Sequence, residues 1–254
     1  MFFAPTVLAL TQDYNGRLQK EKEDSAEEAT EARSRRDLPL FSLCMSTGNA
    51  DGLGETRRDE LKKSLQILGI TKSWAVDHPK LQDNFTATWD PAVIAEVLEP
   101  YIVDNNITII LTFDNGGVSG HPNHISLPLG VKQLVKTTSS HPRLYTLVTV
   151  PLLPKYSSIF GSILTALRVR RLSSSLRHFL QIQARFIFWL FGFTYTFDPS
   201  PQFSGASVVF VSNVASFQQA LRAMREHWSQ LVWFRWLYVT FSRYMWVNEW
   251  LELV

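Results

Sequence analysis

Between Leu38 and His227 short apolar runs alternate with longer stretches of helical periodicity, and this alternation limits the chain to one fold class. Leu38–Ser46, Trp74–Asp77, Ile107–Phe113, Leu144–Val150 and Ser207–Val211 are short and apolar, with the β-branched and aromatic enrichment of buried strands. Glu55–Leu68, Pro91–Val103, Ile125–Lys136 and Val214–His227 read as helices between them. Leu61, Leu65 and Leu68 recur at helical spacing, and Gly69 ends that helix. Asp90-Pro91 supplies an N-cap followed by proline in the first turn. Strands joined through helices pair in parallel with right-handed crossovers, so an α/β fold with a mostly parallel sheet and flanking helices is expected. A further short helix is expected over Phe2–Thr11.

The 254 residues suit one domain, 1–254, with a sizeable core. Lys20–Arg36 is almost all charged and small and has no apolar face, so residues 20–37 read as a solvated, charged insertion loop. The net charge of +2 is too small to indicate nucleic acid as a partner. A single cysteine, Cys44, allows no intrachain disulfide and no cysteine-cluster zinc site, and reads as a buried strand residue. No run reaches the roughly 18–20 apolar residues of a membrane span; Phe179–Phe193 comes nearest but is short and carries Arg185. Neither Gly-x-Gly-x-x-Gly nor a P-loop string occurs, which argues against a nucleotide-binding α/β protein.

The chemistry concentrates in Thr112–Ile125, TFDNGGVSGHPNHI. An apolar strand that ends in Gly-Gly and opens a polar loop delivers residues to the carboxyl edge of an α/β sheet. His121 and His124 lie three apart and can share one site, one ligating a metal and the other handling a proton. Such a pair alone is also common as surface or structural histidines. Asp114 suits a hydrogen bond to a histidine ring and suits capping of the turn equally well. Gly116, Gly117 and Gly120 are expected to allow left-handed turn geometry. Arg57 and Glu60, three apart on a helix, could form an exposed ion pair. Trp228–Trp250 collects aromatic residues around Arg235 and Arg243, as a membrane-interface segment does and as the edge of a hydrophobic core also does.

The string GVSGHPNH resembles the second signature of the PIG-L/LmbE-like family of metal-dependent N-acetylglucosamine de-N-acetylases. Ser46–Leu61, STGNADGLGETRRDEL, and Ser229–Met245, SQLVWFRWLYVTFSRYM, resemble segments of the eukaryotic members; residues 20–37 and 157–204 match poorly, the second as an insertion. The resemblance implies a Rossmann-like sheet of LmbE type and a zinc cofactor. It makes His124 a zinc ligand and His121 the residue at the reacting carbonyl, and it places Arg57, Glu60 and Asp83 by the sugar pocket. The implied reaction is hydrolysis, by metal-activated water, of the N-acetyl group of N-acetylglucosaminyl-phosphatidylinositol, a step of glycosylphosphatidylinositol (GPI) anchor biosynthesis. The implied place is the cytosolic face of the endoplasmic reticulum membrane, with the glycolipid as partner. The family's first signature, a strand and then Ala-His-Pro-Asp-Asp-Glu, supplies two more ligands and a carboxylate base. Residues 1–254 do not contain it, whereas Met1–Val7, MFFAPTV, resembles the segment immediately C-terminal to that signature in the eukaryotic members. The expectation is therefore a family member truncated at its N-terminus, with the first strand missing. The alternative is a non-catalytic member that lacks the metal site.

Overall fold

A computed structural model of the chain describes residues 2–12, 39–70, 72–138, 140–158, 160 and 207–253. The charged run at 20–37, the apolar run at 179–193 and most of the 157–204 segment lie outside the described residues.

The fold is α/β. Helix α1 covers residues 4–12. Strand β1 (Phe41–Cys44) pairs in parallel with β2 (Lys72–Ala75), and helix α2 (Gly54–Ile67) connects them. Helix α3 (Pro91–Asp104) leads into β3 (Ile109–Phe113), which pairs in parallel with β4 (Arg143–Leu147) across helix α4 (Pro122–Thr137). Strand β5 (Ser207–Val211), helix α5 (Val214–Arg225), helix α6 (Trp233–Phe241) and strand β6 (Val247–Leu253) complete the described chain. The two sheets run β1-β2 and β3-β4-β6-β5. The β1-β2 and β3-β4 pairs are parallel, whereas β6 inserts antiparallel between β4 and β5. The described strands thus form two sheets with parallel and antiparallel pairs in equal number, where the sequence predicts a mostly parallel sheet. No helix among the described residues is long and apolar enough to cross a membrane.

Local chemistry sets these elements. The Asp90 side chain accepts from the Ala92 N–H at 2.8 Å and Pro91 occupies the first turn, so α3 starts where the sequence predicts. Helix α4 starts three residues earlier than its periodicity suggests. His121 is the N-cap, its Nδ1 accepting from the Asn123 N–H at 3.3 Å, and Pro122 comes next. Helices α3 and α4 bury Ala95, Leu98, Ile102, Val131 and Leu134 with Leu144 of β4.

Strand β6 carries the C-terminal aromatics into the interior: Val247 and Trp250 are almost wholly buried. Its Asn248 clamps the N-terminal segment. Asn248 Oδ1 accepts from the Thr6 N–H and hydroxyl at 3.1 and 2.8 Å, and its Nδ2 donates to the Phe2 carbonyl at 2.7 Å. Trp250 Nε1 donates to Thr6 Oγ1 at 2.7 Å. This buried polar network has its donors and acceptors matched, which makes it specific as well as stabilising. It holds Phe2 and Phe3 against Phe113, at the end of β3.

Candidate active site

The register Phe113↔Leu147 brings the carboxyl ends of β3 and β4 together. The residues just beyond them, Asp114 and Thr149, therefore meet. Asp114 accepts from the Thr149 N–H at 2.6 Å and from the Thr149 hydroxyl, and also from the N–H groups of Gly116 and Gly117 at 3.0 and 3.1 Å. Of the two roles open to Asp114 in the sequence, the geometry takes the turn. Its carboxylate folds the glycine loop back onto β4, and Thr149 Oγ1 in turn accepts from the Val118 N–H at 2.9 Å.

The three glycines divide by function. Gly117 and Gly120 take φ of +56° and +74°, the left-handed region expected of them. Gly116 sits at φ −87° and is instead a matter of space: a Cβ there would lie 2.8 Å from the Thr149 side chain. Between them Val118 holds φ +63°, a conformation that a β-branched residue adopts only under constraint. Its carbonyl accepts from Lys155 Nζ at 2.8 Å. Lys155 is buried, burial lowers its pKa, and its ammonium lies 5.7 Å from the ring centroids of Tyr156 and Tyr238. No local sequence pattern marks Lys155, because only the tertiary fold places it under Val118.

His124 points back at this loop. Its Nδ1 lies 3.1 Å from the Gly117 carbonyl, and its ring stacks on Phe113 at 4.2 Å. The Gly117 carbonyl can only accept, so Nδ1 carries the proton and Nε2 keeps its lone pair. Burial lowers the His124 pKa and so favours this neutral form. The His121 ring centroid lies 5.2 Å from that of His124. His121 Nδ1 is occupied as an acceptor by the Asn123 N–H, so its neutral form carries the proton on Nε2, which faces Asp83 Oδ1 at 3.9 Å.

Asp83 stands in the loop after β2, pinned from both sides. Trp89 Nε1 donates to the Gln82 carbonyl at 2.9 Å, and the Trp89 N–H donates to Ser126 Oγ of α4 at 3.0 Å. Asn123 Nδ2 donates to Asp83 Oδ1 at 2.9 Å. Asn123 is buried and was not singled out by the sequence; its place two residues after the His121 cap is the signal that could have found it. Arg57, from the first turn of α2, donates through Nη1 to the Gly48 carbonyl and through Nη2 to Asp51 Oδ2 at 2.6 Å. A Cβ on Gly48 would lie 3.3 Å from Arg57 Cδ and 4.0 Å from Asp83 Oδ2, so Arg57 and Asp83 border the same point of the chain. Phe85, 79% exposed, stands edge-on to His121 at 5.1 Å.

The structure thus gathers His121, His124, Asp83 and Arg57 at the carboxyl edges of both sheets. It does not gather Glu60. That carboxylate is buried and accepts from the Ser229 N–H and hydroxyl, both at 2.7 Å, tying α2 to the chain before α6. Arg57 and Glu60 form no pair with each other, because Arg57 turns to Asp51. Catalytic zinc takes about three protein ligands. Among the described residues no group of three His, Cys, Asp or Glu is placed to hold a metal, so these residues do not fit a complete zinc site. His124 offers one imidazole donor.

Loops at the carboxyl edges of an α/β sheet, carrying a neutral imidazole, a second histidine beside a carboxylate and a nearby guanidinium, define a class of site suited to acid–base chemistry on a polar substrate. The family model described as GlcNAc-PI de-N-acetylase matches residues 15–135. The N-acetylglucosaminyl-phosphatidylinositol de-N-acetylase of Bos taurus is 33% identical over 254 residues, covering 98% of this chain and 77% of the relative. A probable enzyme of the same name in Schizosaccharomyces pombe is 31% identical over 248 residues, covering 96% and 78%. Its counterpart in Arthroderma benhamiae is 33% identical over 288 residues, covering 98% and 82%. The chain belongs to the PIG-L family of GlcNAc-PI de-N-acetylases.

Proposed function

We propose that the chain hydrolyses the N-acetyl group of N-acetylglucosaminyl-phosphatidylinositol, releasing acetate and the free amine, in GPI-anchor biosynthesis. The observation that carries this reading is the His121–His124 pair, held on its glycine loop beside Asp83. Amide hydrolysis requires a proton for the leaving amine and stabilisation of the developing oxyanion. His121 supplies the first from Nε2, which faces Asp83 Oδ1 at 3.9 Å. Arg57 brings a planar guanidinium beside Asp83, a donor geometry that suits hydroxyl or phosphate groups. Phe85 lies where a sugar face would cover it. His124, neutral and with Nε2 available, suits one coordination position of a divalent metal, zinc by the family resemblance. The substrate's lipid holds it in a bilayer, and the site of action is the cytosolic face of the endoplasmic reticulum.

A second reading is favoured by the donor set: a family member that binds the glycolipid head without hydrolysing it. One experiment separates the two. The 254-residue protein is supplied with zinc and a short-chain N-acetylglucosaminyl-phosphatidylinositol, and acetate is measured alongside binding by calorimetry. Acetate release supports the enzyme. Binding without acetate supports the second reading, and the absence of both would overturn both.

A further inference from the structure

Helix α6 separates two faces. Its inward side reaches the site: the Tyr238 ring lies 5.8 Å from Phe2, which itself lies 6.0 Å from the His124 ring. Its outward side is apolar. Trp233, Phe234, Leu237 and Phe241 are 76%, 53%, 53% and 49% exposed, and their spacing places them on one arc of about 100°. A soluble helix places such an arc against its core; α6 places it outward.

The surroundings indicate what covers it. Helices α5 and α6 contain no Asp or Glu, while Arg235 of α6 is exposed. Arg222 and Arg225 of α5 line a groove of about 310 Å³ with Gln218 and Leu221. The Arg225 guanidinium lies 6.0 Å from the Trp236 ring, which joins the groove to α6. Arg243, the other arginine of the aromatic segment, is buried and lies 3.5 Å from Glu249, and so takes no part in this surface.

We propose that the outward face of α6, with the Arg222–Arg225 groove beside it, is the surface by which the protein lies on an anionic phospholipid bilayer. The aromatic and leucine side chains enter the headgroup–acyl boundary, and the two arginines receive lipid phosphates. The helix lies in the interface and does not cross it, since its nine residues are far fewer than the roughly 20 of a span. The histidine loop then lies on the far side of α6 from the bilayer, with the Phe2 ring between Tyr238 and His124. The inference deepens the proposed function and rests on it for the substrate's location, but it is tested without turnover.

The test is flotation with vesicles of phosphatidylcholine alone or with 30% phosphatidylserine, a mixture of roughly the charge of a cytosolic leaflet. Wild-type protein is expected to float with the anionic vesicles at low salt and to be released by about 0.5 M salt, where screening is strong. Arg222→Gln with Arg225→Gln should weaken anionic-vesicle binding about 25-fold, at roughly fivefold per arginine. Trp233→Gln with Leu237→Gln should abolish it without lowering the melting temperature, since both side chains are exposed. The arginine pair and the wild-type salt titration keep the test decisive if the apolar variant misfolds. Wild-type protein that stays soluble with anionic vesicles at low salt would overturn the proposal. So would equal binding to neutral vesicles, or a concentration-dependent dimer lost in the Trp233/Leu237 variant.

Discussion

Gly117 and Gly120 share a backbone conformation but not an environment, and replacing each by alanine separates strain from displacement. Both take positive φ, +56° and +74°, so either alanine carries a left-handed penalty of about 1–2 kcal/mol. For a chain of this size that lowers the melting temperature by about 2–8 °C. Beyond this the two differ. A Cβ on Gly120 meets nothing within 4 Å. A Cβ on Gly117 would lie 2.9 Å from His124 Cβ and 3.1 Å from Ile125 Cγ1, so α4 must move at its first turn. That movement lengthens the 3.1 Å contact between His124 Nδ1 and the Gly117 carbonyl, which fixes the tautomer and aim of the imidazole. Misplacement by a fraction of an ångström to 1 Å costs up to about 10²-fold in rate. Gly117→Ala should therefore lose about 10- to 100-fold in acetate release from a short-chain substrate. Gly120→Ala should stay within about threefold while melting nearly as early. Equal rate loss in the two variants, or a Gly117→Ala protein that melts early yet turns over like wild type, would refute this coupling of loop and imidazole.

Acid should destabilise the protein in a defined window. Burial pushes the His227 pKa down from 6.5 to about 4 and lowers that of His124 as well, so the unfolded chain binds more protons than the folded one as pH falls from 6.5 towards 4. Stability should be full above pH 6.5 and fall below it, by an amount of order 1–3 kcal/mol; melting curves of wild type and His227→Gln between pH 7 and 4.5 should converge at the acid end. Glu60→Ala strands the Ser229 N–H and hydroxyl and should cost about 1–3 kcal/mol while leaving KM for the soluble substrate unchanged. A raised KM at unchanged melting temperature would return Glu60 to the sugar pocket.

Much of the fold was legible from residue order because the signals were local. Helix α3 comes from Asp90-Pro91, and helix α2, observed over Gly54–Ile67, comes from its leucine spacing with only a one-residue offset at each end. The glycine loop after β3 and the histidine pair were readable as a carboxyl-edge site, since a strand that ends in glycines can do little else. Non-local facts were hidden. Val247–Leu253 reads VNEWLEL, an acceptable strand, but the aromatic density around it left the whole of Trp228–Trp250 open between a membrane-interface segment and the edge of a hydrophobic core. In the fold the segment divides: residues 242–250 are mostly core, and α6 before them is exposed. The partners of Glu60 and Lys155 lie 169 and 37 residues away, and no periodicity encodes them. Asp114 was undecided between a histidine and the turn because the deciding partner, Thr149, arrives through strand register.

The role proposed for His121 is proton chemistry on an N-acetylated sugar lipid. The most direct measurement is acetate release from short-chain N-acetylglucosaminyl-phosphatidylinositol by wild-type protein and His121→Ala, with melting temperature and bound substrate recorded for both. Removal of a general acid–base residue costs about 10²–10⁴ in rate. A loss in that range is expected, with substrate still bound and melting within a few degrees of wild type. His121→Ala that releases acetate at the wild-type rate would contradict it.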